Sequence, residues 1–201
     1  MTNEEIINRI VPIVQRIGIK GVTLKMLTKE LFLSNQMFYR HFLSREDLIE
    51  QVVKKLLFEI KSNIENVILE ESHPLMKIAK IYDAFLSFTM HFSPLFYRDL
   101  RKFHPTLNIS FEQFKQEWVS TYTLKLFAEA KQEGYLYENV NVTLVCELHL
   151  FRIQEFLDNT SNNNKTSYMD LFSTLIINNL RGTLKNQYQY IFDDYFSNIS
   201  Q

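Results

Sequence analysis

Cysteine is nearly absent from this chain. Cys146 stands alone among 201 residues, so no disulfide can close within it, and a lone thiol fits a reducing compartment such as the cytoplasm. Glycine and proline are equally scarce, four of each, which argues against many-turned β architecture and for long helices. Neither charge sign is in useful excess: 22 Lys and Arg against 23 Asp and Glu leave a net charge of −1, so affinity for a polyanion has to come from a local face. No apolar run approaches the length needed to span a bilayer. The opening MTNEEIINRIVPIVQRIGIKG has no basic stretch ahead of an apolar block, so it does not read as a secretory signal. Gly-rich phosphate loops, HExxH and GxSxG are all missing, and an enzyme has no positive support. The five histidines (41, 73, 91, 104, 149) lack metal-ligand spacing. Cys146 and His149, at i and i+3, could give two zinc ligands, but two more are not evident nearby; the other reading is a buried thiol beside an ordinary histidine. No cofactor is expected, and the chain reads as a soluble, cytoplasmic protein.

What is present is helical periodicity. Glu4 to Ile17 places Ile6, Ile10, Val14 and Ile17 near one face, with Gly18 as the stop and Pro12 removing one internal hydrogen bond. Asp47 to about Glu70 predicts a long helix through Leu48, Val52, Leu56, Ile60, Ile64 and Val67. Breaks are expected at Ser72-His73-Pro74, Ser93-Pro94 and His104-Pro105-Thr106. Ser110 with Gln113 resembles a capping box opening a helix of roughly twenty residues that ends near Gly134. Asn139 or Asn141 caps the next, to about Asp158. The polar run from Asn159 to Ser167 reads as a loop, Ser167 with Asp170 opens a helix ending near Gly182, and Asn186 to Ile199 forms a last short one. The fold class is all-α, with no strand-like alternation and no repeat.

The segment from Thr23 to Leu48, TLKMLTKELFLSNQMFYRHFLSREDL, carries the functional signal. Thr23 can cap a helix whose Leu24, Leu27 and Leu31 form one apolar stripe. Ser34 can cap a second helix held by Phe38 and Phe42 at i and i+4. Asn35, Gln36, Met37, Tyr39 and Arg40 then fall on other faces. Asn and Gln amides donate and accept at once, matching the N6 and N7 edge of adenine in the major groove of double-stranded DNA. Lys25 joins them as a base reader, while Thr23, Ser34, Tyr39, His41 and Arg45 suit the phosphate backbone. Ser44-Arg45-Glu46-Asp47 resembles a capping box for the following helix. Residues 1–50 hold seven Lys and Arg against six Asp and Glu, so non-specific affinity should be modest and two copies should help each other. The spacing alone also fits an ordinary helical hairpin with a polar outer face.

The same window resembles the N-terminal DNA-binding domain of TetR-family transcriptional regulators. Thr23, Leu27, Leu31, Leu33, Ser34, Phe38, Tyr39, His41, Phe42, Ser44, Arg45, Glu46 and Leu48 fit that family's pattern. The motif covers about the first quarter of the chain; beyond it only length and helical pattern are similar. Four positions depart: Phe32 stands where the family usually has Gly, Thr28 where it has a small Ala, and Gln36 and Met37 where Gly and Thr are frequent. The resemblance implies a helix-turn-helix domain, residues 1–48, and a helical ligand-binding and dimerisation domain, residues 49–201. It further implies a homodimeric repressor of a palindromic operator, released by a small-molecule effector. The alternative is a helical ligand- or protein-binding module whose N-terminal domain no longer reads DNA.

The effector site and the dimer face are placed by density of apolar residues. Phe85, Phe88, Phe92, Tyr97, Trp118 and Tyr122, with His91, are expected to line a pocket for an apolar or aromatic ligand, the other reading being a Phe-rich core. Val145, Leu148, Phe151, Phe172, Leu175, Ile176 and Leu180 are expected on the dimer interface, which the family builds from its last two long helices. Packing within one monomer is the alternative.

Overall fold

In the computed structural model, residues 2–159 and 167–199 are described. Most of the expected loop between Asn159 and Ser167 lies outside them. Among the described residues the regular elements are helical, apart from one bridging pair between Leu136 and Leu184.

Helix α1 (Asn3–Ile17) starts with a reciprocal capping box between Thr2 and Glu5, and it accommodates Pro12 internally. It stops at Gly18, whose φ is 75° and where an added Cβ would sit 2.8 Å from an Asp99 carboxylate oxygen. Only glycine meets both conditions. Helices α2 (Leu24–Leu31) and α3 (Asn35–His41) begin at the expected caps: the Thr23 hydroxyl accepts from Met26 N, and the Ser34 hydroxyl accepts from Met37 N. Between them Phe32 itself adopts the left-handed conformation, φ 55°, where the resembling family has glycine. Its side chain gains nothing in return, being 86% exposed.

Helices α4 (Arg45–Glu70), α5 (Pro74–Met90), α6 (Pro94–Phe103) and α7 (Pro105–Trp118) follow, split by the expected breaks. The Ser44 hydroxyl accepts from Asp47 N, but Asp47 accepts from Leu43 N, so the box there is only half the expected one. The Ser110 start is corrected. Helix α7 begins at Pro105, which loses no bond at a helix N-terminus, and Ser110 lies inside it with its hydroxyl donating to Thr106 O. A π turn, Val119–Thr123, then leads into α8 (Leu124–Gln132). Asn141, one of the two candidates, caps α9 (Val142–Asn159) through Leu144 N. Ser167 makes no capping bond, and the helix expected after it is three pieces: α10 (Tyr168–Phe172), a π turn (Ser173–Ile177) and α11 (Asn178–Thr183). A 3-10 turn (Asn186–Tyr188) precedes α12 (Tyr190–Ile199).

The chain divides into two compact units, residues 1–61 with 88–113, and residues 62–87 with 114–201. The division expected after residue 48 falls inside the first. Its core is Ile6, Ile10, Val14, Leu27, Phe38, Phe42, Leu48, Val52 and Leu100. The second unit buries Leu75, Ile78, Tyr82, Trp118, Phe127, Ile153, Phe172, Ile176, Leu180 and Phe192.

His149 lies in that second core, 1% exposed, and burial with Arg152 nearby pushes its pKa down to about 4. In the unfolded chain it should titrate near the ordinary value of about 6.5. The unfolded state therefore takes up a proton first as pH falls, and this contribution is complete above about pH 6.5 and lost towards pH 4. Up to about 3 kcal/mol is expected to vanish across that window, and urea titrations should show a flatter pH dependence for His149→Phe than for the parent. A second expectation concerns Phe32. Gly relieves the left-handed strain, so Phe32→Gly should raise stability by about 1 kcal/mol, whereas Phe32→Ala keeps the strain and should not. The shift in urea midpoint at constant slope reads both.

Candidate nucleic-acid interface

Helices α2 and α3 are short, and an isolated seven-residue helix would not persist in water. Packing holds them. Phe38 and Phe42 are buried with ring centroids 5.4 Å apart, and Leu27, Leu31 and Leu33 complete the inner side. The outer side is left to Asn35, Gln36, Met37, Tyr39 and Arg40, all exposed, with Lys25 and Thr23 exposed on α2. Tyr39 meets Phe38 edge-on at 5.2 Å, which steadies its ring while the hydroxyl end stays accessible. Thr28, set where a small residue is usual in the resembling family, satisfies its hydroxyl on Leu24 O.

His41 is tied down at both ends. Its Nδ1 lies 2.6 Å from Asn3 Oδ1, and Asn3 Nδ2 donates to His41 O at 3.1 Å. This pair fixes the end of α3 to the start of α1, leaving only the other ring nitrogen for a phosphate. Arg45 departs further from expectation. Its Nη2 donates to Ile19 O at 2.7 Å and its Nε to Val22 O, while Nη1 faces Glu46 at 3.4 Å. The side chain is half-buried and turned into the α1–α2 connection, so its first task is to hold the protein's own backbone. Glu46 and Asp47 at the start of α4 have lowered pKa values, Glu46 chiefly through a backbone hydrogen bond and Asp47 chiefly through Gln51.

An open cleft of about 390 Å³ also lies in the first unit, lined by Glu46, Glu50, Lys54, Phe103, His104 and Thr106 among others. Burial, then Arg45, lowers the pKa of His104. The cleft mixes both charge signs and has no single chemical preference.

The residues expected around an effector do not gather in one unit. Phe88, His91, Phe92 and Tyr97 belong to the first, and Phe85, Trp118 and Tyr122 to the second. In the first, Phe92 packs on Phe88 at 5.1 Å and on Phe96 at 4.4 Å, the Tyr97 hydroxyl donates to Thr89 O, and His91 is exposed. These are core contacts. In the second, Phe85 stacks on Trp118 at 4.6 Å, and the Tyr122 hydroxyl donates to Glu65. Tyr82 and His149 are missed by a search for aromatic density; there Tyr82 meets both Trp118 and His149. The signal available in the sequence was polar residues set among apolar helix faces. The expected dimer set also divides: Leu148 and Phe151 are 41% and 61% exposed, Val145 and Leu175 are half-buried, but Phe172, Ile176 and Leu180 are buried inside the unit and are not open to a partner. No group of three or more metal-ligating side chains occurs among the described residues, and none of the described helices is long and apolar enough to cross a membrane.

Replacing Arg45 by Ala should therefore destabilise the first unit: Val22 O loses its donor while Ile19 O keeps only Val22 N, at a cost of about 1–3 kcal/mol. Thermal or urea unfolding without any ligand reads this; an unchanged stability would return Arg45 to a purely external role.

No protein-family model matches the sequence, and no curated protein does. Solved structures do match. A TetR-family transcriptional regulator from Agrobacterium tumefaciens is 13% identical with a TM-score of 0.72, over 91% of this chain and 97% of that one. A transcriptional regulator from Cytophaga hutchinsonii is 17% identical with a TM-score of 0.72, over 90% and 98%. A protein described as a superantigen, pfit, is 13% identical with a TM-score of 0.66, over 92% and 90%. At such identities it is the fold that is shared. The chain has the all-α fold found in TetR-family transcriptional regulators.

Proposed function

We propose that the protein is a homodimeric, DNA-binding transcriptional repressor of the cytoplasm that reads a palindromic operator and is released by a small-molecule effector. The observation that carries this reading is the outer side of α3. Asn35, Gln36, Tyr39 and Arg40 stand exposed on a short helix whose inner side and caps are fully engaged, so the polar face is presented rather than used. Asn35, Gln36 and Lys25 would read base edges, and Tyr39, His41, Thr23 and Ser34 would touch phosphates. Similar solved structures described as transcriptional regulators support the same reading. The lone, buried Cys146 suits a reducing cytoplasm.

One such head gives too little affinity at a local charge near neutral, so two copies are required, with recognition helices about 34 Å apart. The exposed apolar side chains Leu144, Leu148 and Phe151, spaced i, i+4 and i+7 on α9, support a partner face there, with Val145 and Leu175 beside it. An effector releases DNA only if it prefers the state that does not fit the operator; a hundredfold preference corresponds to about 2.7 kcal/mol.

The second reading is a helical binding module that does not read DNA, favoured by the strained Phe32 turn and by the same fold in a protein described as a superantigen. Selection from random DNA by the purified protein separates the two: a palindrome should be enriched, and no enrichment even in low salt favours the module. On the enriched site, Gln36→Ala should cost about 1–3 kcal/mol and relax preference at one or two positions. Sedimentation at micromolar concentration should give a dimer, and Phe151→Glu should shift it to monomer; a parent that already sediments as a monomer defeats the repressor model.

A further inference from the structure

The second unit holds a cluster of buried polar groups that its own side chains do not satisfy. Tyr82, on α5, meets Trp118 edge-on at 5.2 Å and His149, on α9, edge-on at 4.9 Å, while Phe85 stacks on Trp118 at 4.6 Å. Tyr82, Trp118, Thr123 and His149 are each at least nine-tenths buried. Trp118 Nε1, Thr123 Oγ1 and both His149 nitrogens have no hydrogen-bond partner among the described residues, and the Tyr82 hydroxyl has none beyond the Cys146 thiol. Cys146 lies beside the Tyr82 hydroxyl, but burial pushes its thiol up to about 12, so it stays a weak, neutral neighbour. Trp118 and Thr123 flank and end the π turn Val119–Thr123, and such widened turns recur at functional sites.

Buried polar groups are normally paired; Tyr82 links Trp118 and His149 by ring contacts and Thr123 ends the π turn that follows Trp118, so several unpaired groups on neighbouring elements call for an occupant. The lining fixes its chemistry. Trp118 can only donate, a neutral imidazole donates from one nitrogen and accepts at the other, and the two hydroxyls do either. A charged occupant would find no counter-ion among these four side chains, and an isolated buried charge is very costly. Phe85 covers one face of Trp118 and Tyr82 meets it edge-on, so the surroundings are aromatic and favour an aromatic occupant over an aliphatic one.

We propose that the Tyr82–Trp118–Thr123–His149 cluster is a binding site for a small, uncharged, flat molecule carrying both a carbonyl-type acceptor and an N–H or O–H donor. This narrows the effector of the proposed regulator and rests on that reading for its consequence, though binding itself needs no DNA. Within the expected apolar or aromatic class it favours an aromatic molecule with polar groups, since a purely apolar one would leave the same groups unanswered.

Trp118 is the chain's only tryptophan, so its emission reports this site alone. The full chain is titrated with benzamide, phenol and 2-pyridone, and with toluene and benzoate as apolar and charged controls. At least one of the three neutral donor–acceptor rings should change the emission saturably and raise the melting temperature, with affinity at least tenfold above both controls. His149→Phe should lose at least tenfold in that affinity, and Tyr82→Phe, which removes only the hydroxyl, at least threefold; melting curves without ligand establish that both variants fold. Equal binding of toluene, equal binding to His149→Phe, or no response to any of the three overturns the proposal and leaves buried water as the occupant. Selection of an operator is measured separately, so loss of this site leaves DNA binding standing, and failure of DNA binding leaves the ligand titration intact.

Discussion

The orientation of helices α2 and α3 depends on how a tight connection of five residues, Gly18 to Val22, is gripped from two sides. The Asp99 carboxylate, 1% exposed, accepts from Lys20 N at 2.8 Å. The Arg45 guanidinium donates to the carbonyls of Ile19 and Val22. A buried carboxylate is tolerable only when it is hydrogen-bonded, and the half-buried Arg45 guanidinium is held by its own hydrogen bonds. The two charges therefore have little freedom to move, and neither does the backbone between them. Gly18 completes the constraint, because any side chain there would collide with Asp99 and Leu95. Ser93 N, just ahead of α6, donates to Gln15 O and fastens the same region from the α6 side. Helix α2 leaves this connection with its direction fixed, and α3 follows after three residues.

That grip explains how α3 can be so short and so polar. A seven-residue helix contributes little stability of its own, and its outer side chains contribute less. Its order comes from Phe38 and Phe42 inside, from the Ser34 cap, and from the Asn3–His41 pair at its end. All the stabilising contacts fall on one side. The other side is left exposed, so residues there such as Gln36 and Met37, unusual for the resembling family, can vary with little effect on folding.

Local chemistry was legible in the sequence and long-range commitment was not. The caps at Thr23, Ser34 and Asn141, the stop at Gly18 and the proline breaks depend on groups a few residues apart, and each stands where spacing put it. Phe32 stands out in the sequence as a departure from the family's Gly, and the chain accepts the left-handed conformation there without one. Arg45 was read outward because its neighbours in sequence match a phosphate-contact motif; its partners, 23 and 26 residues away, turn it inward. Ser110 offered a capping box as good as any on paper, but Pro105 starts the helix earlier and a serine inside a helix can bond its own i−4 carbonyl. The π turns carry no composition of their own that periodicity would detect. In the last helices, Phe172, Ile176 and Leu180 share a stripe with no sign of whether the same chain or a second one covers it; here the same chain does.

The aromatic set shows the same limit and what replaces it. Phe88, Phe92, Phe96 and Tyr97 are dense in sequence because a helical core needs bulky apolar faces, and they pack on one another. Density of that kind cannot separate a lining from a filling, since both are made of the same side chains. Hydrogen-bonding capacity can. A core with no role beyond packing has every reason to replace His149 by Phe and Tyr82 by Phe, because an unpaired buried donor or acceptor costs about 1–3 kcal/mol where an apolar group of the same shape costs nothing. Four such side chains, left unpaired by the described residues save for the Cys146 thiol beside Tyr82, carry a thermodynamic cost. Such a cost is offset only by something that pairs with these groups, whether water or the proposed ligand.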